Sequence, residues 1–215
     1  MTPETNDIER LRWDCDLAWT VWLRQTGAIQ LVLLREKGVE ELLRLKPVVI
    51  DQHQGAHYLD GLRKLGIHDD PPALAAAKYH YLSNIIGGLQ VAYMEESPKK
   101  AWIRYHHPME FYHGSGLMAF PAAVQRAVFR YWHARNGERM GCPRLGYVCT
   151  KIMQQGEPYD EGYFIEYDRD LAPDETLRFE AAAETPEFDP AKAPVLDPAT
   201  WPEARIHRAK RKYAG

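Results

Sequence analysis

Apolar and polar positions alternate along the first third of the chain with the period of a helix. Residues 7–24 carry Ile8, Leu11, Ala18, Trp19 and Trp22, a spacing that predicts an amphipathic helix. Trp13, Trp19 and Trp22 bring large side chains for burial. Gly27 punctuates this pattern, and a second helical run goes from Ala28 to about Leu45 with Gly38 as a soft break. Pro47 stands where a third helix would open, since a proline lacks only an N–H that the first turn does not use. That helix would pass through Asp51, His53, His57 and Leu62 to Leu65 and close at Gly66. Asp69-Asp70-Pro71-Pro72 then initiates a fourth helix, with Leu74, Tyr79, Leu82 and Ile86, ended by Gly87-Gly88.

Beyond Gly88 the pattern changes period. Leu89–Glu96 and Ala101–His107 read as strands joined by the turn Ser97-Pro98-Lys99-Lys100. Alternation along the second strand places Trp102, Arg104 and His106 on one face and Ile103, Tyr105 and His107 on the other. Pro121 opens another helix, with Val124, Val128, Tyr131 and Trp132 on its buried stripe and Asn136-Gly137 at its close. Tyr147–Met153 and Tyr163–Asp168 form a second hairpin around a Gly156-Pro158-Gly162 turn region. Strands follow strands, so the expected class is α+β: N-terminal helices, then an antiparallel sheet of two hairpins around a connecting helix. The expected organisation is a helical part (1–88), an α+β part of the same domain (89–183) and an extended tail (184–215). In the tail, prolines space out a polar run. Phe188, Val195, Leu196 and Trp201 could anchor it, and Arg205–Lys212 is strongly basic.

Composition narrows the partners. The 215 residues carry a formal net charge of -3, so nothing global argues for nucleic acid. No apolar run is long enough to span a bilayer, and Met1–Arg12 lacks the apolar segment of a signal peptide, so the chain reads as cytoplasmic. Cys15, Cys142 and Cys149 are odd in number and irregular in spacing, which fits reduced thiols. No strand–GxGxxG–helix or Walker pattern is present, which argues against a nucleotide fold.

The chemistry concentrates in Tyr105–Gly116, where three of the nine histidines meet a carboxylate, two tyrosines and a Gly-Ser-Gly. His106, Glu110 and His113 are the candidate acid–base residues there. His133, on the following helix, is placed where it can approach them. His53 and His57 lie one turn apart on a predicted helix, a spacing that can chelate a divalent transition metal, although Gln54 replaces the glutamate of a zincin. Cys142, beside Arg144 and Arg139, is a candidate nucleophile. Arg104 or Arg144 would bind a substrate carboxylate, and Tyr105, His107 and Tyr163 would line its pocket. Each feature also has a plain reading: a solvated strand end, a polar helix face, a small loop cysteine.

With those residues in place, the order of elements resembles the aminothiazoline-carboxylate hydrolase-like family. The run Trp13-Asp14 to Leu65-Gly66 looks like its helical N-terminal part. The Glu95–Ala101 hairpin, the following helix and Cys142-Pro143 look like its later part. That family is distantly similar to vinyl-reductase-type sensory domains, which bind small hydrophobic ligands. The resemblance covers roughly residues 10–170 and rests on motifs of low specificity. Zinc-binding sensory members carry cysteines around the last hairpin, and Tyr163-Phe164-Ile165 has none beside it. What the resemblance implies is the fold and a small-molecule pocket; it assigns no catalytic set.

Three functions compete. The first is a hydrolase-like enzyme in which water attacks an amide-like or amidine carbon of a small polar or heterocyclic substrate. The second is a non-catalytic small-molecule-binding module. The third is a structural subunit whose tail docks a partner; a homo-oligomer is compatible with each.

Overall fold

The computed structural model describes residues 3–86, 89–106, 120–181, 184–199, 201–202 and 205. Side chains of the first helix are described at residues 9, 10, 13, 14, 17, 18, 21 and from 24 onward. Helices α1 (Pro3–Lys37), α2 (Val39–Lys64) and α3 (Pro72–Ile86) precede strands β1 (Val91–Ser97) and β2 (Lys100–Tyr105). Then come α4 (Ala122–Tyr131), a 3-10 turn, α5 (Asn136–Met140), β3 (Leu145–Lys151), β4 (Asp160–Glu166) and β5 (Leu177–Phe179). The class is α+β, with the helices before the sheet as expected.

The sheet runs β1-β2-β4-β3-β5. The two hairpins lie side by side because β2 pairs antiparallel with β4, and β5 adds parallel to β3, so the sheet is mixed. Alternation, interrupted by irregularities at Glu95/Ser97 and Cys149/Lys151, gives the strands two different faces. One carries Ala101, Ile103, Tyr105, Tyr147, Cys149 and Phe164 into the main core against α3 and Phe129 of α4. The other carries Ala92, Met94 and Trp102, covered by Phe188 of the tail. α3 feeds the core with a near-continuous alanine face, Ala73 and Ala75–Ala77, which lets its backbone approach the sheet closely.

Several local expectations change. Gly27 lies inside α1 and Pro47 inside α2, so the first two helices are longer than the punctuation suggested. The real break is Gly38, whose φ of +83° belongs to the left-handed region that glycine tolerates. Pro47 is accommodated within α2, and the residues around it, Leu45, Val48 and Val49, are exposed. Asn136-Gly137 does not end a helix. It starts α5, and Gly141 with φ +69° ends it. Trp13 is exposed, not buried; the side chains of Trp19 and Trp22 lie outside the described residues. In the tail, Phe188 and Leu196 pack on the domain and the Trp201 indole N–H donates to the Lys64 carbonyl at 3.2 Å. Val195 anchors nothing and is exposed. Residues 206–212 of the basic end lie outside the described residues.

Candidate functional site

The sequence candidates fall into three places. Arg104, Tyr105 and His106 sit at the end of β2, opposite Asp160 at the start of β4. Cys142 and Arg144 precede β3, whose Leu145 pairs with Glu166 at the far end of β4. The seven residues of β4 separate these ends by roughly 20 Å, so the thiol and the strand-end histidine do not share a site. Cys142 lines a groove of about 810 Å³ with Arg130, Arg135, Leu171 and Leu177. Arg144 pairs with Glu166 at 2.7 Å. Tyr163 lies mid-sheet on the outer face, with the Lys100 ammonium 4.4 Å from its ring centre. His107, Glu110 and His113 lie outside the described residues.

His53 and His57 form the third place, on α2, both exposed, with ring centres 5.0 Å apart. Partial desolvation, on the side where its ring lies 5.2 Å from that of Trp132, lowers the His53 pKa, and His57 adds to the effect. The nearby Asp51 carboxylate is engaged by Arg135 and Arg139. Among the described residues no group of three or more His, Cys, Asp or Glu could hold a metal ion. The metal expectation for His53 and His57 therefore stands on two donors alone.

The structure assembles a different set of polar groups inside the molecule, over the inner face of the sheet at Phe164 and Tyr147 and within reach of the Tyr105 hydroxyl. His80 of α3 and His133 stack with ring centres 4.1 Å apart and planes within 12°, both buried. The Tyr105 hydroxyl meets His133 Nε2 at 2.8 Å. On the other side Asn136 Nδ2 lies 2.9 Å from His80 Nε2, and Gln54 Nε2 donates to Asn136 Oδ1 at 2.8 Å. If Asn136 donates, His80 Nε2 accepts, which fixes a neutral ring. Burial lowers the His80 pKa to about 3. His133 is pushed well below its ordinary value by burial first and by His80 second; the Val128 carbonyl opposes this weakly, though it makes no well-aligned hydrogen bond to Nδ1. Both imidazoles are thus neutral near pH 7.

On β4, across from Tyr105, lie two carboxylates with opposite surroundings. Asp160 points to the inner face, with no measurable exposure, and its Oδ1 accepts the Met153 amide at 2.8 Å. Its Oδ2 has no partner among the described residues. Burial raises its pKa to about 7 against the small downward pull of that amide. Glu161, the next residue, points to the outer face. It binds Arg104 at 2.7 Å and Lys151 at 3.1 Å and accepts from Thr185 at 2.9 Å. Lys151 also donates to the Tyr159 hydroxyl at 3.0 Å, and both cations lie over the Tyr159 ring. His106 is exposed beside them, 6.3 Å from that ring.

Gly162 makes the inner arrangement sterically feasible. A Cβ there would stand 2.4 Å from Tyr147 Oη, so only glycine lets the Tyr147 ring cross β4 beside Asp160. Burial raises the pKa of Tyr147 and of Cys149, so both keep their protons.

Sequence reasoning reached Arg104, Tyr105, His106 and the approach of His133, but not His80, Asn136, Gln54, Lys151, Asp160 or Glu161. A signal existed for His80, which continues the Ala73, Ala76, Ala77 stripe at helical spacing. For Asp160 and Glu161 the signal was alternation, which must turn one of two adjacent strand carboxylates inward. Comparison of the chain with protein-family models, with curated proteins and with solved structures finds no match, so the site is read from its own geometry.

Proposed function

We propose that this chain is a hydrolase-like enzyme acting on a small polar or heterocyclic substrate, with Asp160 as the general base. The observation that carries the reading is the Asp160 carboxyl: buried, raised to about 7, with Oδ2 unpartnered among the described residues. A base poised near the working pH is what general-base catalysis needs, and carboxyls shifted this way cluster at functional sites. Asp160 would take a proton from water as the water oxygen attacks an amide-like or amidine carbon. The carbon–nitrogen bond then breaks, and the leaving nitrogen takes the proton. On the outer face Arg104 and Lys151 share the single Glu161 carboxylate, which leaves that cluster one positive charge to offer an anionic substrate group, while the Asp160 carboxylate lies on the inner face. His106, exposed at the same end, is a second proton carrier; His107, Glu110 and His113 stay candidates from sequence alone.

The resemblance to the aminothiazoline-carboxylate hydrolase-like family supports the substrate class and supplies the first probe. Purified chain is incubated with 2-aminothiazoline-4-carboxylate and a panel of small cyclic amidines and amides, and products one water heavier are sought by mass spectrometry. Turnover should rise with pH through about 7 and be lost in Asp160→Asn with the fold retained. Turnover that survives in Asp160→Asn overturns the assignment. The second reading, a binding module, is favoured by the interior imidazoles being neutral and locked by Tyr105 and Asn136. It predicts a ligand-induced rise in melting temperature with no converted product.

A further inference from the structure

Helix α1 is long for the surface it covers. Its 35 residues extend roughly 50 Å, yet none of its described side chains is buried. Among its described side chains, those that pack on the domain lie in its C-terminal part, where Leu31, Leu33 and Leu34 meet Leu42, Phe120 and Val124. Upstream, Trp13, Leu17 and Val21 stand at i, i+4 and i+8, and Val32 returns to the same side three turns later. These side chains are exposed by 64%, 46%, 53% and 52%, and Ile29 by 57%. Helix α2 repeats the feature. Its inner side buries Leu42, Ile50, Tyr58 and Leu62, while Leu45, Val48, Val49 and Leu59 form a second apolar stripe on its outer side.

We infer that these two stripes are the interface of a two-fold homodimer in which α1 packs antiparallel against α1 of a second copy. Two observations select that occupant. The first is area: the exposed apolar side chains named on α1 present roughly 500 Å² per chain, most of the about 800 Å² that a standard interface takes from each partner, with the flanking charged side chains to add the rest. The second is charge along α1. Residues 3–16 hold five acids (Glu4, Asp7, Glu9, Asp14, Asp16) against Arg10 and Arg12. Residues 24–37 hold Arg24, Arg35 and Lys37 against Glu36. The first half is therefore net negative and the second net positive. An antiparallel pair sets each acidic half against the partner's basic half, and a parallel pair sets like against like. A two-fold axis makes every such contact occur twice, so one helix supplies both halves of the match. Antiparallel helices also oppose their dipoles favourably.

The test is sedimentation velocity of the full chain at micromolar concentration, with thermal unfolding as a check on the fold. The wild type should sediment at twice the 24.8 kDa chain mass. Leu17→Glu with Val21→Glu, and separately Val49→Glu on the other stripe, should give monomers whose core unfolds cooperatively. Arg35→Glu with Lys37→Glu should weaken the dimer about tenfold, the scale of a few exposed ion pairs. Adding Glu9→Lys with Asp14→Lys to that variant should restore it. A monomeric wild type overturns the inference. So does a dimer indifferent to the stripe variants, or a charge reversal that the second pair of substitutions fails to rescue. Monomers that instead bind anionic lipid vesicles through α1 would assign the stripe to a membrane surface and also overturn it.

Discussion

Asp160 and Glu161 are adjacent residues of one strand, and the sheet gives them opposite fates. Glu161 faces outward into two cations and a threonine hydroxyl. Asp160 faces inward into tyrosines and a thiol, with one backbone amide for company. Both are buried, so burial alone does not decide what a carboxylate does. The number of donors aimed at it decides. Where cations meet the charge, the group is a structural cross-link of β2, β3 and β4. Where they do not, the group holds its proton up to about pH 7 and becomes a candidate base.

The comparison breaks most visibly at Glu161. Glu161→Ala should strand Arg104 and Lys151 and cost about 3–5 kcal/mol, the cost of removing one partner from a buried pair. Urea unfolding measures it, and a loss below 1 kcal/mol would mean the cross-link is not structural.

Asp160 sharpens the contrast through pH. Its folded pKa is raised above the free value, so its contribution is fully present below about 4 and lost as pH rises to about 7. His80 and His133 have lowered pKa values, so their contribution is present above about 6.5 and lost as pH falls. Between about 4 and 6.5 the unfolded chain holds two protons on the buried histidines, and part of a third where the His53 pKa is lowered too, against the one that Asp160 keeps in the fold, so stability should rise with pH by at least one proton's slope and peak near 6.5. Asp160→Asn should add one proton to that slope and stabilise the protein above pH 7 by up to about 4 kcal/mol, from a shift of about three units. Unfolding curves across pH 4–8 report both. An unchanged slope would show that Asp160 is not protonated in the fold.

A smaller effect is expected from Tyr105→Phe, which removes the hydroxyl at His133 and leaves an imidazole nitrogen unpaired. The loss should be about 1–2 kcal/mol, with no change in the alkaline limb. The smallest belongs to the exposed imidazoles. His53→Ala with His57→Ala should move stability by less than about 0.5 kcal/mol. Calorimetric titration with zinc should show at most weak binding, since two ligands leave a transition metal undersupplied. A tight stoichiometric zinc site lost in that double variant would restore the metal reading.

The elements themselves were legible in the chain. Both hairpins, the helix after Pro121 and the α+β class follow from periodicity and turn chemistry, because these are local properties. Helix ends were less so: Gly27 and Pro47 read as punctuation, but a helix tolerates either where its other hydrogen bonds and its packing continue. The chain also marked Arg104, Tyr105 and His106, since a histidine-rich strand end stands out against an apolar background.

Only the tertiary structure decided which polar groups share an environment. Gln54, His80, Tyr105, His133, Asn136 and Asp160 come from six elements and span more than a hundred positions of sequence, so no local pattern ties them together. The pairing of β2 with β4 brings Asp160 opposite Tyr105, and α3 and the turn after α4 lay a stacked pair of imidazoles against the Tyr105 hydroxyl and the Phe164 ring. The same packing parts Cys142 from His106, because antiparallel strands carry residues near in pattern to opposite ends of a sheet. Sequence sets what each residue is able to do; desolvation and the donors within reach, which only packing supplies, set what it does.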